Sequence, residues 1–270
     1  MAIIVENVIS HWPDHKKLAV LVTVMFEVWS DGKAPPYSPM TTPLKPGTPD
    51  LLGISWSRYG GRTGIWRFMR IFEDVEIAAT VCLNARCAEL FPEAVKELHK
   101  RGHEIAGHSY TQDLVLPYVS PAEEHEIIQR CKRIIMDAVG SAPVGWFSPV
   151  AAPTEHTAKF LAAENFIWHG DYNDTDLPYI VETSSGRLVA LAHSDFTDNR
   201  TLRSSPRDFY NVYKDTFDYL YRYEAPSLIN LTVHAHFGGR PLMSAMLHEL
   251  LKYMRGHPDV WFAPGGNKVL

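Results

Sequence analysis

The chain has 270 residues, 46% of them apolar and 21% charged, with a formal net charge of −5 and only 3 cysteines. That length and apolar content suffice for a sizeable core. The acidic balance argues against a nucleic-acid or anionic-membrane binder, and the cysteine count argues against a disulfide scaffold. Cys82, Cys87 and Cys131 are odd in number and lie in apolar periodic segments, so they read as buried reduced thiols. Thirteen histidines are the unusual feature, and they hint at metal or acid–base chemistry.

The first residues show no charged region followed by a long apolar run, so no signal peptide is expected. The longest apolar stretch, 18–26, is too short to cross a bilayer. The expectation is a soluble, cytoplasmic protein. Residues 18–26 are rich in β-branched side chains throughout, the pattern of a strand covered on both faces. The stretch 34–49 contains six prolines and reads as a long loop, either an active-site lid or an oligomer contact. A helix is expected over 64–74, a strand over 77–83, a helix over 92–101 and a strand over 104–106. Ser120-Pro-Ala-Glu123 is a capping box with Pro at the first helical position, after which Ile127, Cys131, Ile134 and Ala138 share one face and Gly140 ends the helix. Short strands at 144–147, 166–168, 188–191, 228–233 and 260–262 alternate with helices at 154–163, 206–223 and 240–257. Repeats and low-complexity tracts are absent. Such alternation implies parallel strands with right-handed crossovers in one domain spanning 1–270, and about seven units favour a barrel over an open sheet.

In parallel β/α folds the reactive groups gather beyond the C-terminal ends of the strands. That rule selects Glu27, the segment His108 to Gln112, Trp146 to Ser148, His169 with Asp171, and His234. Each has a plain structural reading as well. Glu27 could cap a turn, His108 could be a hydrogen-bonded core histidine, and Trp66, Trp146 and Trp168 could be core aromatics. His234 and His236 are read as alternating faces, with His236 packing or meeting solvent. His11, His15, His99, His125, His156, His248 and His257 are expected on loops or helix surfaces.

Five motifs in order carry a resemblance: Tyr59-Gly-Gly-Arg62-Thr-Gly-Ile-Trp66-Arg67, Arg101-Gly-His-Glu-Ile-Ala-Gly-His108-Ser109, Gly145-Trp146-Phe147-Ser148-Pro149, Asp176-Leu-Pro-Tyr179 and His234-Ala-His236-Phe-Gly-Gly-Arg240-Pro241. Together they resemble the polysaccharide-deacetylase-like superfamily, and within it the branch of metal-independent allantoinase and cyclic imide hydrolases. The resemblance covers about residues 18–262. It implies a distorted (β/α)7 barrel and a homo-oligomer, dimer or tetramer. Metal-dependent members hold a divalent ion with an Asp and two His in an HxxxH motif. Here His108 is kept, Gln112 stands in the second position and Glu27 lies near the acidic one. An amide oxygen is a poor zinc ligand, so the resemblance implies a site with no cofactor.

The reaction expected is hydrolytic opening of a small cyclic amide, imide or ureide, a carbon–nitrogen bond hydrolysis. Glu27, in an apolar barrel mouth, is expected to have a raised pKa and to act as general base. His108 or His234 would polarise the carbonyl or protonate the leaving nitrogen. Arg62 would present a planar fork to substrate carbonyls. Tyr59, Trp66 and Trp146 would form flat walls, Asp171 and Asp176 would accept ring N–H groups, and Gln112 would partner a substrate amide. The rivals are a metal-dependent deacetylase of an N-acetylated sugar or peptidoglycan, with zinc on Glu27 and His108, and a non-catalytic binder of small molecules.

Overall fold

The computed structural model describes residues 3–5, 9, 11–38, 44–194, 196–201 and 204–266. Residues 39–43 of the proline-rich stretch lie outside the described residues. The strands are β1 (Ile3–Val5), β2 (Leu18–Phe26), β3 (Thr80–Leu83), β4 (Glu104–Gly107), β5 (Gly145–Trp146), β6 (Trp168–Tyr172), β7 (Tyr179–Thr183), β8 (Gly186–Ala192), β9 (Ser227–His234) and β10 (Val260–Phe262). The helices are α1 (Leu51–Tyr59), α2 (Ile65–Asp74), α3 (Arg86–Leu90), α4 (Pro92–Lys100), α5 (Pro121–Val139), α6 (Thr157–Ala163), α7 (Pro206–Tyr223) and α8 (Pro241–Arg255). No helix among the described residues is long and apolar enough to cross a membrane.

The strands form one curled sheet in the order β1-β7-β8-β6-β5-β4-β3-β2-β10, with β9 also paired to β2. The pairs from β2 through β6 to β8 are parallel, as are β2–β9 and β2–β10. This is a distorted barrel, the fold that the resemblance in sequence implies. Uniform alternation of strand and helix does not hold at 179–192. There β7 and β8 form an antiparallel hairpin, and β1 adds antiparallel to β7. Between β8 and β9 a side chain spans the seam, the Asn230 amide donating to the Ala192 carbonyl at 3.0 Å.

The strand pattern sorts residues between two cores, because successive side chains point to opposite faces. Along β2, Leu18, Val20, Val22, Val24 and Phe26 pack against the helices, whereas Ala19, Leu21 and Met25 pack inside the barrel with Cys82, Ala106, Phe147, Trp168 and Leu228. The three cysteines are free and buried. Helix α5 starts on Ser120, whose hydroxyl accepts the Glu123 N–H at 3.3 Å, and stops at Gly140 with φ 80°. Helix α7 carries a full capping box from Ser205 and Asp208. Residues 51–59, left unassigned by the sequence pattern, are the helix α1, continued by a π-helical turn over Gly60–Gly64 into α2.

Candidate active site

The same alternation that places Met25 inside the barrel carries Glu27, two residues on, to the interior at the strand end. Ala106 does this for His108, and Leu228 in β9 does it for His234. Glu27 is 2%, His108 1% and His234 7% exposed. His108 Nε2 lies 3.4 Å from Glu27 Oε1, and His234 Nε2 lies 3.9 Å from the same oxygen. The His108 ring is oriented by Nδ1, which donates to the Phe147 carbonyl at 2.7 Å and leaves Nε2 facing the carboxylate.

After His108 the chain reverses at Ser109, held at φ 60°, and the Gln112 N–H then donates to the Val28 carbonyl at 2.8 Å. Gln112 is thereby fixed beside the end of β2, buried, with its Oε1 lacking a partner. Asn84, fully buried after β3, ties the strand ends together. It accepts the Val28 N–H at 2.9 Å and donates to the His108 carbonyl.

Glu27, His108, Gln112 and His234 line one cavity of about 420 Å³ with Met25, Tyr37, Phe147, Asn199 and Arg200 among their neighbours. Asp198, which sequence reasoning missed, is fully buried behind His234. It accepts the His234 backbone N–H at 2.8 Å and its Nδ1–H at 2.6 Å. Burial alone would lower the His234 pKa, but the carboxylates of Asp198 and Glu27 raise it to about 9. Glu27 runs opposite to expectation. Burial pushes its carboxyl up, but His234 and the contact with His108 outweigh that and hold it at about 2. The apolar surroundings were read correctly; the cationic neighbour that cancels them comes from distant sequence.

His236 also corrects the sequence reading. β9 ends at His234, and the turn that follows brings His236 back to the same carboxylate, fully buried with Nδ1 3.6 Å from Glu27 Oε2. Burial lowers its pKa to about 3, so the ring is neutral. Tyr37, from the proline-rich stretch, places its hydroxyl 3.2 Å from His236 Nε2 and 3.4 Å from Glu27 Oε2.

Several expected substrate contacts lie elsewhere. Trp146 faces the helices with no exposure, its indole N–H donating to Ser148 at 3.1 Å, while its neighbour Phe147 faces the cavity. Asp171 is spent on the Ser148 N–H at 2.9 Å and on His169 at 2.6 Å. Asp176 lines a separate cavity at the seam between β8 and β9. Arg62 is exposed on the π-helical turn, and neither it nor Tyr59 nor Trp66 lines the reaction cavity. This segment instead buttresses the turn after β9. A Cβ at Gly64 would sit 1.9 Å from the Ala235 carbonyl, so only glycine allows the approach. Arg67 donates to Tyr59 at 2.7 Å and to the Gly239 carbonyl, and Arg240 stacks over Tyr59 at 4.3 Å.

Among the described residues no three His, Cys, Asp or Glu side chains are arranged as a metal site. Beside Glu27 and His108 stands the amide of Gln112, whose oxygen is a poorer zinc ligand than imidazole, thiolate or carboxylate.

A polysaccharide deacetylase family model matches residues 57–166. The crystal structure of PuuE allantoinase is similar with a TM-score of 0.85 and 25% identity, covering 98% of this chain and 93% of that one. A protein described as a probable polysaccharide deacetylase from Pseudomonas aeruginosa PAO1 is similar with a TM-score of 0.83 and 26% identity, covering 94% and 90%. The chain is thus similar over most of its length to proteins of the polysaccharide-deacetylase-like superfamily. Among curated relatives, the peptidoglycan deacetylase of Helicobacter pylori is 22% identical over 243 residues, 77% of this chain and 83% of that protein. These similarities support a hydrolase acting on carbon–nitrogen bonds.

Proposed function

We propose that the protein opens a small cyclic amide, imide or ureide ring by side-chain acid–base catalysis. The observation that carries this reading is the opposition of two pairs across one cavity: the Glu27 carboxylate beside His108 Nε2, whose other ring nitrogen is taken by the Phe147 carbonyl, and the His234–Asp198 pair, with His234 Nε2 3.9 Å from Glu27. Acceptors on one side suit a water that must lose a proton. A charged imidazole on the other suits a ring nitrogen that must gain one.

In this scheme a water bound against both Glu27 Oε1 and His108 Nε2 gives a proton to the Glu27 carboxylate as it attacks the ring carbonyl. His234 donates its Nε2 proton to the departing nitrogen, and Asp198 holds the imidazolium in register. Developing charge on the carbonyl oxygen meets the NH₂ of Gln112, a residue of the cavity lining. Since His234 carries the proton at neutral pH, it takes the acid role and His108 the orienting, accepting role. The Gln112 amide beside Glu27 and His108 supports a reaction without a divalent metal. The similarity to an allantoinase supports a ring substrate, and a cavity of about 420 Å³ suits a ring better than a glycan strand.

The test is a panel of hydantoins, cyclic imides and ureides assayed beside N-acetylated chito-oligosaccharides and peptidoglycan fragments. Ring opening with no acetate release supports the reading. Acetate release with no ring opening replaces it by the deacetylase reading. Saturable binding of a ring compound with no turnover replaces it by a non-catalytic binder.

A further inference from the structure

We propose that Tyr37 and His236 form a positioning pair that clamps one oxygen of the Glu27 carboxylate and reserves the other for the reacting water. This rests on the reading of Glu27 as the base.

The two carboxylate oxygens have different neighbours. Oε1 faces His108 Nε2 at 3.4 Å and His234 Nε2 at 3.9 Å, the side where the cavity opens. Oε2 faces the Tyr37 hydroxyl at 3.4 Å and His236 Nδ1 at 3.6 Å. Tyr37 and His236 are joined to each other at 3.2 Å through Nε2, so the three groups close a triangle on Oε2.

Proton counting shows what the triangle does. His236 is neutral and has one N–H, and Tyr37 has one O–H. If the N–H is on Nδ1 it points towards Oε2 across 3.6 Å, a charge–dipole contact longer than a hydrogen bond, and Nε2 accepts from the phenol. If it is on Nε2 it donates to the phenol oxygen, and the phenol donates to Oε2. In both tautomers one hydrogen faces Oε2, and neither arrangement spends a lone pair of Oε1. A carboxylate held in this way cannot rotate without breaking the triangle, which keeps its free oxygen aimed at the attacking water.

The pair is itself firmly seated. His236 has no exposure and meets Trp56 and Trp29 edge-on at centroid distances of 5.0 and 5.4 Å. Its carbonyl accepts from Arg240 Nε at 3.2 Å, and an added Cβ at Gly60 would lie 3.0 Å from its backbone nitrogen. Tyr37 packs edge-on to Trp56 at 6.4 Å. Neither residue needs to touch substrate to act.

The experiment is a double-mutant cycle on turnover of whichever ring substrate the panel identifies. Tyr37→Phe keeps the ring and removes the hydroxyl; His236→Gln keeps a neutral polar group without the imidazole geometry. Each single variant should lower kcat about tenfold with KM within about twofold, at an unchanged melting temperature. The double variant should be little worse than the poorer single one, because both act on the same oxygen. Multiplying losses, or loss in KM with kcat intact, overturns the proposal. Glu27→Gln is measured in parallel to separate the two levels. If it is inactive while Tyr37→Phe matches the wild type, the clamp alone is wrong. If Glu27→Gln keeps full turnover, the reading of the site falls and the clamp with it.

Discussion

Asp198 grips His234 twice, at the backbone N–H (2.8 Å) and at the imidazole Nδ1 (2.6 Å). The first contact fixes where the chain leaves β9, and the second fixes the ring and its charge. Because His234 is raised to about 9, the acid is loaded throughout the neutral range. Activity should therefore fall as pH rises through about 9. In Asp198→Asn the imidazole loses the carboxylate that holds its proton, so the alkaline limb of kcat/KM should move down by at least one pH unit. A limb that stays in place would show that His234 is not the acid.

Glu27→Gln and His234→Ala should each cost at least about a hundredfold in kcat, the lower range for a lost general base or acid. Near-normal turnover by both variants would sink the acid–base scheme. Since Glu27 is held at about 2, no acid limb belonging to it should appear above pH 4.

Gly238 leaves the space that Asp198 occupies. A Cβ there would come within 2.3 Å of Asp198 Oδ2 and 3.1 Å of Phe68. Gly238→Ala should lower stability by about 1–3 kcal/mol through overpacking and reduce kcat by displacing the carboxylate from His234. A thermal melt and a kinetic assay on the same preparation check it. A variant that matches the wild type in both would mean that the turn relaxes freely.

Stability should carry the mark of the same histidine. A folded-state value raised to about 9 from 6.5 gives stabilisation that is fully present below pH 6.5 and is lost as pH rises to about 9. The difference is on the order of 3 kcal/mol. Between pH 6.5 and 9.5 the wild type should lose more unfolding free energy than His234→Gln, measured by urea titration. Parallel curves would refute the linkage.

Turnover of the ring substrate should survive prior treatment with a strong chelator, and added zinc should not raise it. Loss on chelation, restored by zinc, would overturn the metal-free reading and return the deacetylase chemistry to the front.

Much of the scaffold was legible because burial patterns are written between near neighbours. Residues 18–26 and 206–223 behave as their periodicity predicts, and the rule of strand ends selected Glu27, His108, Gln112 and His234 for the cavity. The hairpin at 179–192 was harder, since a short alternating run does not say which partner it pairs with. Trp146 and Phe147 show the limit within one motif. Alternation says that they face opposite ways, but only the register of β5 between β4 and β6 decides which is inside.

The remaining features depend on contacts between residues far apart in the chain. Asp198 meets His234 across 36 positions and Tyr37 meets His236 across 199, and no local pattern announces either. The sign of the Glu27 shift has the same origin. Its apolar neighbours in sequence predict a raised value, whereas the imidazoles that lower it arrive only when β4 and β9 are brought alongside β2. The sequence by itself determined the barrel, its strand ends and the residue types offered there. Tertiary structure alone decided which of them share a cavity and how they are charged, because desolvation and charge–charge energies depend on distance in space, not on distance along the chain.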